Sequence, residues 1–356
     1  MVAAPRWGRS GGKLRFAGMR LNPRCVPVVL ALAIGGCSSS SEAEPDPPPA
    51  PTSWVEVDAA LDKLEAATTM IAAEVTEDGT FTSIHERSPD SVGAIGTAFR
   101  LYVLGIVTDQ IAGGVLGWDD ELTITAAVKS LSPGGLQDRP DGSQITVREA
   151  ALLMMASDNT ATDLLIDAVG RARVEYIIPA MGMGEEAQTK TLPLLTIREH
   201  FIITEGTDMS FRTKYAQADV DKRRGLLTAL GGDLPASSSL DPAVPDGAAP
   251  IGWFASPTEL VRAQLWLESQ RGLPGLEPVE EIVVADPGEP FDPATWTARG
   301  FTRGAGPGIL SLSWLLQRAD GRSFVVALVV NDPTRPIDAD GVATVAAGVI
   351  DLLAKS

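Results

Sequence analysis

The stretch GTAFRLYVLG, Gly96–Gly105, opens a run of mostly apolar residues that continues to Ile111. The run predicts a helix with apolar side chains on nearly every side, and a helix that is hydrophobic all round is a buried one. Thr97 and Arg100 break the pattern near its first turn, and a spacing of three residues places them on one face. Because N–H groups and the dipole at this end of a helix stabilise negative charge, the pair is a candidate catalytic site.

The elements on either side of this helix differ in type from the middle of the chain. Going outward, the patterns predict terminal helices at Asp58–Thr68 and Asp338–Lys355, and strands at Met70–Val75, Thr80–His85, Gly308–Gln317 and Arg322–Asn331. The region between is mostly helical, so strands from both ends of the chain can share one sheet, with the terminal helices on one face. The predicted fold class is α/β, with a mixed sheet built from residues 54–95 and 295–356 and an all-helical part over residues 96–294.

A second polar feature is the tripeptide Ser157-Asp158-Asn159, which lies between two predicted helices. A capping box formed by Thr146 and Glu149 opens the first of these helices. Ser, Asp and Asn are the usual residues of helix caps, so a structural cap is the simplest interpretation of the tripeptide. The functional alternative is that the serine hydroxyl passes a proton while the asparagine amide holds a substrate carbonyl.

The composition excludes several classes of site. A formal net charge of −17 disfavours binding to nucleic acid. The two cysteines, Cys25 and Cys37, both lie near the N-terminus, so no disulfide or thiolate metal site is expected in the body of the chain. With only two histidines, His85 and His200, a His-rich zinc site is disfavoured and a Ser-His-Asp triad is weakened.

The first 36 residues have the organisation of a secretory leader. Basic residues precede the apolar run Val26–Ile34, and the small residues Gly35 and Gly36 follow it directly before Cys37. The run is too short for a membrane-spanning helix, which needs roughly 20 residues. The stretch Ile34–Cys37 resembles the lipobox of bacterial lipoproteins, which implies cleavage before Cys37 and acylation of its thiol. A plain signal peptide with an incidental cysteine is the alternative.

Residues 37–53 are predicted to be a disordered tether, because Ser38–Pro51 is rich in serine and proline. We therefore divide the chain into a leader over residues 1–36, this tether, and one domain over residues 54–356. The expected location is extracytoplasmic, on the membrane of the cell envelope.

Several stretches together resemble the serine β-lactamases and penicillin-binding proteins, whose motifs are S-x-x-K, S-D-N and K-T-G. The second motif is intact as Ser157-Asp158-Asn159, and Gly96–Gly105 resembles a nucleophile helix that reads roughly G-S-x-F-K-L-Y-V-L-G. That helix belongs to a family that includes actinobacterial lipoproteins and a protein of clavulanic acid biosynthesis. Further matching stretches are Lys129–Leu131, Leu136–Gly142, Ser157–Leu165 and Trp253–Pro257. The resemblance implies a class A β-lactamase fold, with the site between the sheet and the helical part.

The chain departs from this family where the chemistry takes place. Thr97 stands where the nucleophilic serine is expected, and Arg100 stands where the lysine is expected. In the third motif the family reads about K-G-G-S-x-P-G, whereas this chain has Thr302-Arg303-Gly304. An ungapped alignment puts Thr302 at the lysine position, and a shift of one residue puts Arg303 there.

These departures predict severely slowed acylation. A lysine with a depressed pKa can act as a general base, but arginine stays protonated at any working pH. Threonine keeps a hydroxyl, while its extra methyl group crowds the path of attack. A carboxylate acting through water could replace the base. The candidates are Glu185, Glu186 and Glu205, and nothing in the sequence selects among them.

Two functions from different classes follow. One is a β-lactamase-like hydrolase that opens a β-lactam or a related ester through an acyl intermediate on Thr97, impaired by the two substitutions. The other is a binding lipoprotein that holds a cell-wall peptide or a β-lactam-like ligand, with Arg303 on a carboxylate and Asn159 on an amide. Neither function calls for a metal or a cofactor.

Overall fold

The computed structural model describes residues 49–235, 251–288 and 291–356. Its main sheet contains five strands: β1 (Ala67–Val75), β2 (Phe81–Arg87), β7 (Trp296–Gly306), β8 (Ile309–Arg318) and β9 (Ser323–Asn331). Their order across the sheet is β2-β1-β9-β8-β7, and every neighbouring pair is antiparallel. Strands from the two ends of the chain thus share one sheet, and the predicted fold class is confirmed.

Shorter strands and most of the helices lie between β2 and β7 along the chain. Two short antiparallel pairs join β3 (Gly93–Ala94) to β6 (Phe254–Ala255) and β4 (Glu121–Thr123) to β5 (Gln144–Thr146). The helices are α1 (Trp54–Lys63), α2 (Arg100–Ala112), α3 (Val147–Met155), α4 (Asn159–Val169), α5 (Arg171–Ile177), α6 (Glu185–Thr191), α7 (Ile197–Gly206), α8 (Met209–Gln217), α9 (Val220–Thr228), α10 (Pro257–Ser269), α11 (Val279–Ile282) and α12 (Ala339–Leu353). Two 3₁₀ turns occur at Gly96–Phe99 and Leu136–Asp138.

The main sheet separates two hydrophobic cores. On one face the terminal helices α1 and α12 pack against side chains that include Trp314 and Phe324. The other face contributes to a larger core that contains α2, α4 and α10. Since both faces of β8 and β9 are covered, most residues of both strands are buried, and Phe324–Val330 of β9 is a continuous apolar run.

Helix α2 is the buried helix expected from its all-round apolar sequence, and nearly all of its residues are buried. Its first turn differs from the expectation, because Gly96–Phe99 forms a 3₁₀ turn before the α-helix begins at Arg100. Gly105 has no room for a side chain, since a Cβ there would stand 2.1 Å from the Met181 sulfur. The central helix therefore passes unusually close to the segment that follows α5.

The N-terminal helix lies earlier than predicted. The Ser53 hydroxyl caps α1 by accepting a hydrogen bond from the Glu56 amide, and the helix ends at Lys63 rather than at Thr68. Ala67 and Thr68 belong instead to β1, where they pair with Asn331 and Val330 of β9. Tertiary pairing therefore overrides a local helical pattern that was only weakly periodic.

The cap at the start of α3 is half of the predicted capping box. The Thr146 hydroxyl accepts a hydrogen bond from the Glu149 amide at 3.2 Å. The Glu149 carboxylate pairs with Arg139 at 3.2 Å. The long Arg139 side chain thus engages the group that the local motif would have turned back on Thr146.

Within residues 49–235, 251–288 and 291–356, no helix combines the length and the apolar character needed to cross a bilayer. The leader, the lipidation site at Cys37 and most of the predicted tether lie outside the described residues.

Candidate functional site

The turn that carries Thr97 is pressed against the edge strand β7. Gly96 has a φ of +52°, and a Cβ on it would stand 2.8 Å from both the peptide nitrogen and the peptide oxygen of Ala305. A Cβ on Gly304 would stand 1.8 Å from the Ile95 carbonyl oxygen. Only glycine fits either position, so the two backbones approach closely and Thr97 lies beside β7. The first N–H groups of such a turn have no partner within the turn.

Residues distant in the chain hold the strand that leads into this turn. The Asn331 side chain accepts a hydrogen bond from the Ala94 amide at 2.8 Å and donates one to the Ala94 carbonyl at 2.9 Å. The Asn331 side chain therefore makes the two hydrogen bonds that the backbone of a neighbouring strand would otherwise make with Ala94. The Ser311 hydroxyl donates to the Ile95 carbonyl at 2.7 Å. These bonds fix the backbone directly before Thr97.

Arg100 is buried, and it points at α4 and the residue before α4's cap. Its Nε donates to the Thr162 hydroxyl at 2.9 Å, and its Nη2 donates to the Asn159 side-chain oxygen at 2.7 Å and to the Ser157 carbonyl at 3.3 Å. Nη1 makes no hydrogen bond with a described residue, and the whole side chain is buried. The side chain that replaces the expected lysine thus binds the second motif.

The charge of Arg100 is balanced by buried acids. Burial lowers the pKa of Arg100 to about 10, while Asp163 and Asp158 oppose the shift. Burial raises the pKa of Asp163 to about 7, although its carboxylate accepts hydrogen bonds from the amides of Ile197 and Arg198 at 2.7 Å each. Arg100 therefore remains protonated at neutral pH and cannot accept a proton from a hydroxyl.

The polar groups of the second motif are largely occupied. The Asn159 amide nitrogen donates to the Leu131 carbonyl at 2.9 Å, while its oxygen accepts from Arg100. The Asp158 carboxylate caps α4 through the Ala161 amide and also accepts from the amides of Gly135 and Leu136. The motif therefore acts as a helix cap and as a brace for the preceding loop.

Ser157 is the motif residue that keeps a free hydroxyl. Its φ of +80° lies in the left-handed region, which non-glycine residues enter rarely. No described residue forms a hydrogen bond with its side chain, and the residue is half-buried. Backbone strain of this kind is common at ligand sites and costs of order 1–3 kcal/mol.

The two candidates for the lysine position of the third motif lie on opposite faces of β7. Thr302 and Gly304 are buried and share one face of β7, whereas Arg303 is exposed on the other. Gly304 is the residue of this motif that meets the Thr97 turn. Arg303 makes no hydrogen bond or ion pair with a described residue.

Among the described hydrogen bonds and ion pairs, neither Glu185 nor Glu186 contacts the motifs. Glu185 and Glu186 are exposed in the first turn of α6, and Glu186 pairs with Lys190. Glu205 is exposed near the end of α7. The segment that docks beside the second motif is instead the start of α7, where Asp163 holds the amides of Ile197 and Arg198.

Two residues of this region, Asp163 and Asn331, were not predicted from the sequence. Asp163 carried a usable signal, because it lies four residues after Asn159 and is an acid on the buried face of an apolar helix. Asn331 carried none, since its partner Ala94 is 237 residues away. Among the described residues, no cluster of three or more His, Cys, Asp or Glu side chains is arranged to hold a metal ion.

Comparisons with known proteins give a consistent likeness. Residues 57–220 match the model of the Beta-lactamase enzyme family. A search of curated protein sequences finds no match. Among solved structures, a mutant of PBP-A in its acyl-enzyme complex with penicillin G is similar, with a TM-score of 0.59 and 15% identity over 87% of this chain and 100% of that one. A β-lactamase from Sphaerobacter thermophilus aligns with a TM-score of 0.56 and 18% identity over 85% of this chain and 96% of that one. At these identities the likeness concerns the fold.

Proposed function

We propose that this β-lactamase-like domain is a binding module that holds a carboxylate-bearing ligand without forming an acyl-enzyme at an appreciable rate. The observation that carries the proposal is the hydrogen bonding of Arg100. Its donors go to Thr162, Asn159 and the Ser157 carbonyl, and its pKa keeps it protonated. Acyl transfer needs a group that takes the hydroxyl proton of the nucleophile, and this position does not provide one.

The loss of a general base is large in kinetic terms. Such a base contributes roughly 100- to 10,000-fold to a rate. The Thr97 hydroxyl forms no hydrogen bond with a described residue, and Thr302 adds no positive charge at the third motif. Three departures at one site therefore act in the same direction.

The proposed ligand is a cell-wall peptide or a β-lactam-like compound, as suits the fold. Arg303 supplies the charge for its carboxylate, because this guanidinium is exposed on β7, the strand that meets the Thr97 turn, and has no carboxylate partner among the described residues. The Ser157 hydroxyl is free to meet a further polar group of the ligand. The Asn159 amide is a weaker candidate, since both of its ends are already bonded.

A second function is slow acylation of Thr97. It is favoured by the close approach of β7 to the Thr97 turn, where a Cβ on Gly96 would stand 2.8 Å from the Ala305 backbone. The threonine hydroxyl would attack the carbonyl carbon of a β-lactam or ester, and its proton would pass to water rather than to a side chain. The lactam C–N bond or the ester C–O bond would then break, and the leaving nitrogen or oxygen would take a proton from water.

One experiment separates the two functions. The purified protein is incubated with fluorescent penicillin, and intact masses and equilibrium binding are recorded. We expect saturable binding, no mass increase, and at least a tenfold loss of affinity in Arg303→Ala. Arg173→Ala, which removes an exposed arginine of α5, serves as the control and should bind normally. A stable adduct that disappears in Thr97→Ala would overturn the binding proposal in favour of acylation.

We further propose that the protein is a lipoprotein of the cell envelope, anchored through Cys37 and related to the actinobacterial β-lactamase-like lipoproteins. The leader pattern and the amino-acid sequence of Gly96–Gly105 support this proposal. The anchor would hold the domain at a membrane surface, where cell-wall peptides are present.

A further inference from the structure

A cavity of about 300 Å³ lies on the far side of the strand that leads into the Thr97 turn. Gly93, Ala94 and Asn331 form one wall of it, and none of the three motifs contributes a lining residue. Its volume is at the lower end of the range for small-molecule sites. It is therefore separate from the candidate site described above.

The floor of the cavity is apolar. Val92, Ile251 and Phe254 line it, together with Tyr215 and Ala216 at the end of α8. Tyr215 is buried, and burial raises its pKa above the ordinary value, so its phenol is neutral at physiological pH. These surfaces suit a short hydrocarbon chain or a single ring.

The rim carries two cations and no carboxylate. Lys190 and Arg223 are the charged residues of the lining. Arg223 donates hydrogen bonds only to backbone carbonyls, those of Thr189, Lys190, Leu192, Tyr215 and Ala216. Carbonyl dipoles stabilise a guanidinium but do not cancel its unit charge. In a chain with a net charge of −17, a cavity bordered by cations alone is a specific feature.

The partner of Lys190 is easily exchanged. Lys190 pairs with Glu186 at 2.7 Å, and both side chains are exposed. An exposed pair with this spacing on a helix contributes only about 0.3–0.5 kcal/mol. The ammonium group can therefore turn from Glu186 to a ligand anion at small cost.

We propose that this cavity binds a small amphiphilic carboxylate, with its apolar part over Val92, Ile251 and Phe254 and its carboxylate at Lys190 and Arg223. The site makes no use of Thr97, Arg100 or the third motif. Its occupancy is thus independent of whether the domain acylates.

Isothermal titration calorimetry of the purified protein with octanoate, 1-octanol and octylammonium tests the site. These probes share an eight-carbon chain and differ in charge. We expect octanoate to bind at least ten times more tightly than octanol, and octylammonium more weakly than either. Equal binding of octanoate and octanol, or no saturable binding of octanoate, would overturn the proposal.

Two variants locate the binding. Lys190→Gln should weaken octanoate at least fivefold and leave octanol unchanged, while Lys222→Gln serves as the matched control, because Lys222 is also an exposed lysine with an acidic partner, Asp219, but lies outside the cavity. Ala216→Phe should fill the cavity and abolish binding of both ligands. Identical octanoate affinities in the two lysine variants would rule out the proposed carboxylate position, whether or not the phenylalanine variant folds.

Discussion

The Arg100 guanidinium joins α2 to α4. A lysine at this position would have one nitrogen to share between the Thr97 hydroxyl and α4. The guanidinium has three nitrogens, and two of them bond Thr162, Asn159 and the Ser157 carbonyl. With Asp158 and Asp163 nearby, the positive charge is tolerated in a buried place. Under the proposed function, Arg100 links α2 with α4 and provides no general base.

The double variant Thr97→Ser, Arg100→Lys is predicted to acquire acylation. Serine removes the methyl group that crowds the attack path, and a buried lysine can lose its proton. We expect labelling by fluorescent penicillin at least 100-fold faster than in the parent protein, as the return of a general base implies.

The control for this prediction is Thr97→Ala, Arg100→Lys, which should not be labelled. If the double variant folds but stays unlabelled, the prediction fails for these two changes alone. The missing positive charge at Thr302 is then the remaining cause of inactivity, and Thr302→Lys is the next change to add.

His200 makes the stability of the protein sensitive to acid. The His200 ring stacks on Trp253, and Trp253 stacks on Phe99 of the Thr97 turn. The His200 Nε2 donates a hydrogen bond to the Ile251 carbonyl at 3.0 Å. Burial lowers the pKa of His200 to about 4, whereas an unfolded histidine titrates near 6.5. The unfolded state therefore binds the proton first, and the free energy of unfolding falls as the pH drops from about 6.5 towards 4.

We predict that the free energy of unfolding of His200→Gln depends less on pH in this acidic range. Glutamine retains a donor for the Ile251 carbonyl but has no proton to gain. Between pH 7 and pH 4.5 the parent should lose up to about 2.5 kcal/mol more than the variant, at about 1.4 kcal/mol per pKa unit. Urea unfolding at several pH values measures this difference, and parallel profiles would contradict the assignment.

At the scale of elements, the position of the Thr97 turn, Gly96–Phe99, depends on how closely β7 packs against it. The turn has no strong local signal for its 3₁₀ geometry. It is held because Gly304 allows β7 to reach the Ile95 carbonyl, and because Ser311 and Asn331 bond the residues before it. An element of four residues is thus specified by contacts more than 200 positions away along the chain.

Gly304→Ala is predicted to destabilise the fold by about 2–3 kcal/mol, since the new methyl group must displace either β7 or the turn. A matched control is Gly225→Ala in α9, where nothing lies within 4 Å of the added atom and alanine should stabilise the helix by roughly 0.5–1 kcal/mol. Thermal and urea unfolding of both variants give the comparison. Equal stability of the Gly304 variant and the parent would show that the close approach is not needed.

At the scale of the whole molecule, the chain closes on itself through the main sheet. β1 from the start of the domain pairs with β9 from its end, and α1 and α12 cover the same face. The helical part is inserted between them, with α10 packed on the opposite face and α2 packed on α10 and α4. The candidate site therefore lies where the inserted helices meet the edge strand β7.

The proposed membrane attachment is predicted to depend on Cys37 alone. In a bacterial host, labelling with an alkyne fatty acid should mark the protein, and Cys37→Ala should abolish the label and release the protein from the membrane fraction. Cys25→Ala should change neither result, because Cys25 lies in the leader that is predicted to be removed. Retained label in the Cys37 variant would contradict the anchor.

The sequence by itself determined the elements whose cause is local. The all-round apolar run predicted the buried α2, the apolar runs Gly308–Gln317 and Arg322–Asn331 predicted β8 and β9, and the Ser157-Asp158-Asn159 tripeptide marked the start of α4. The positions of Thr97 and Arg100 within one motif were also readable, because three-residue spacing is a property of the helix itself.

Only the tertiary structure decided what those residues do. It showed that the Arg100 donors go to α4 and that Asp163 and Asp158 balance its charge. It also set the register of Thr302 and Gly304, and it assigned Ala67 and Thr68 to a strand. These outcomes depend on which groups meet across long chain separations, and on burial, which decides whether a charge or a hydrogen bond is stable. Local pattern predicts the burial of a whole helix, but not which polar groups meet there or whether a single charge is stable.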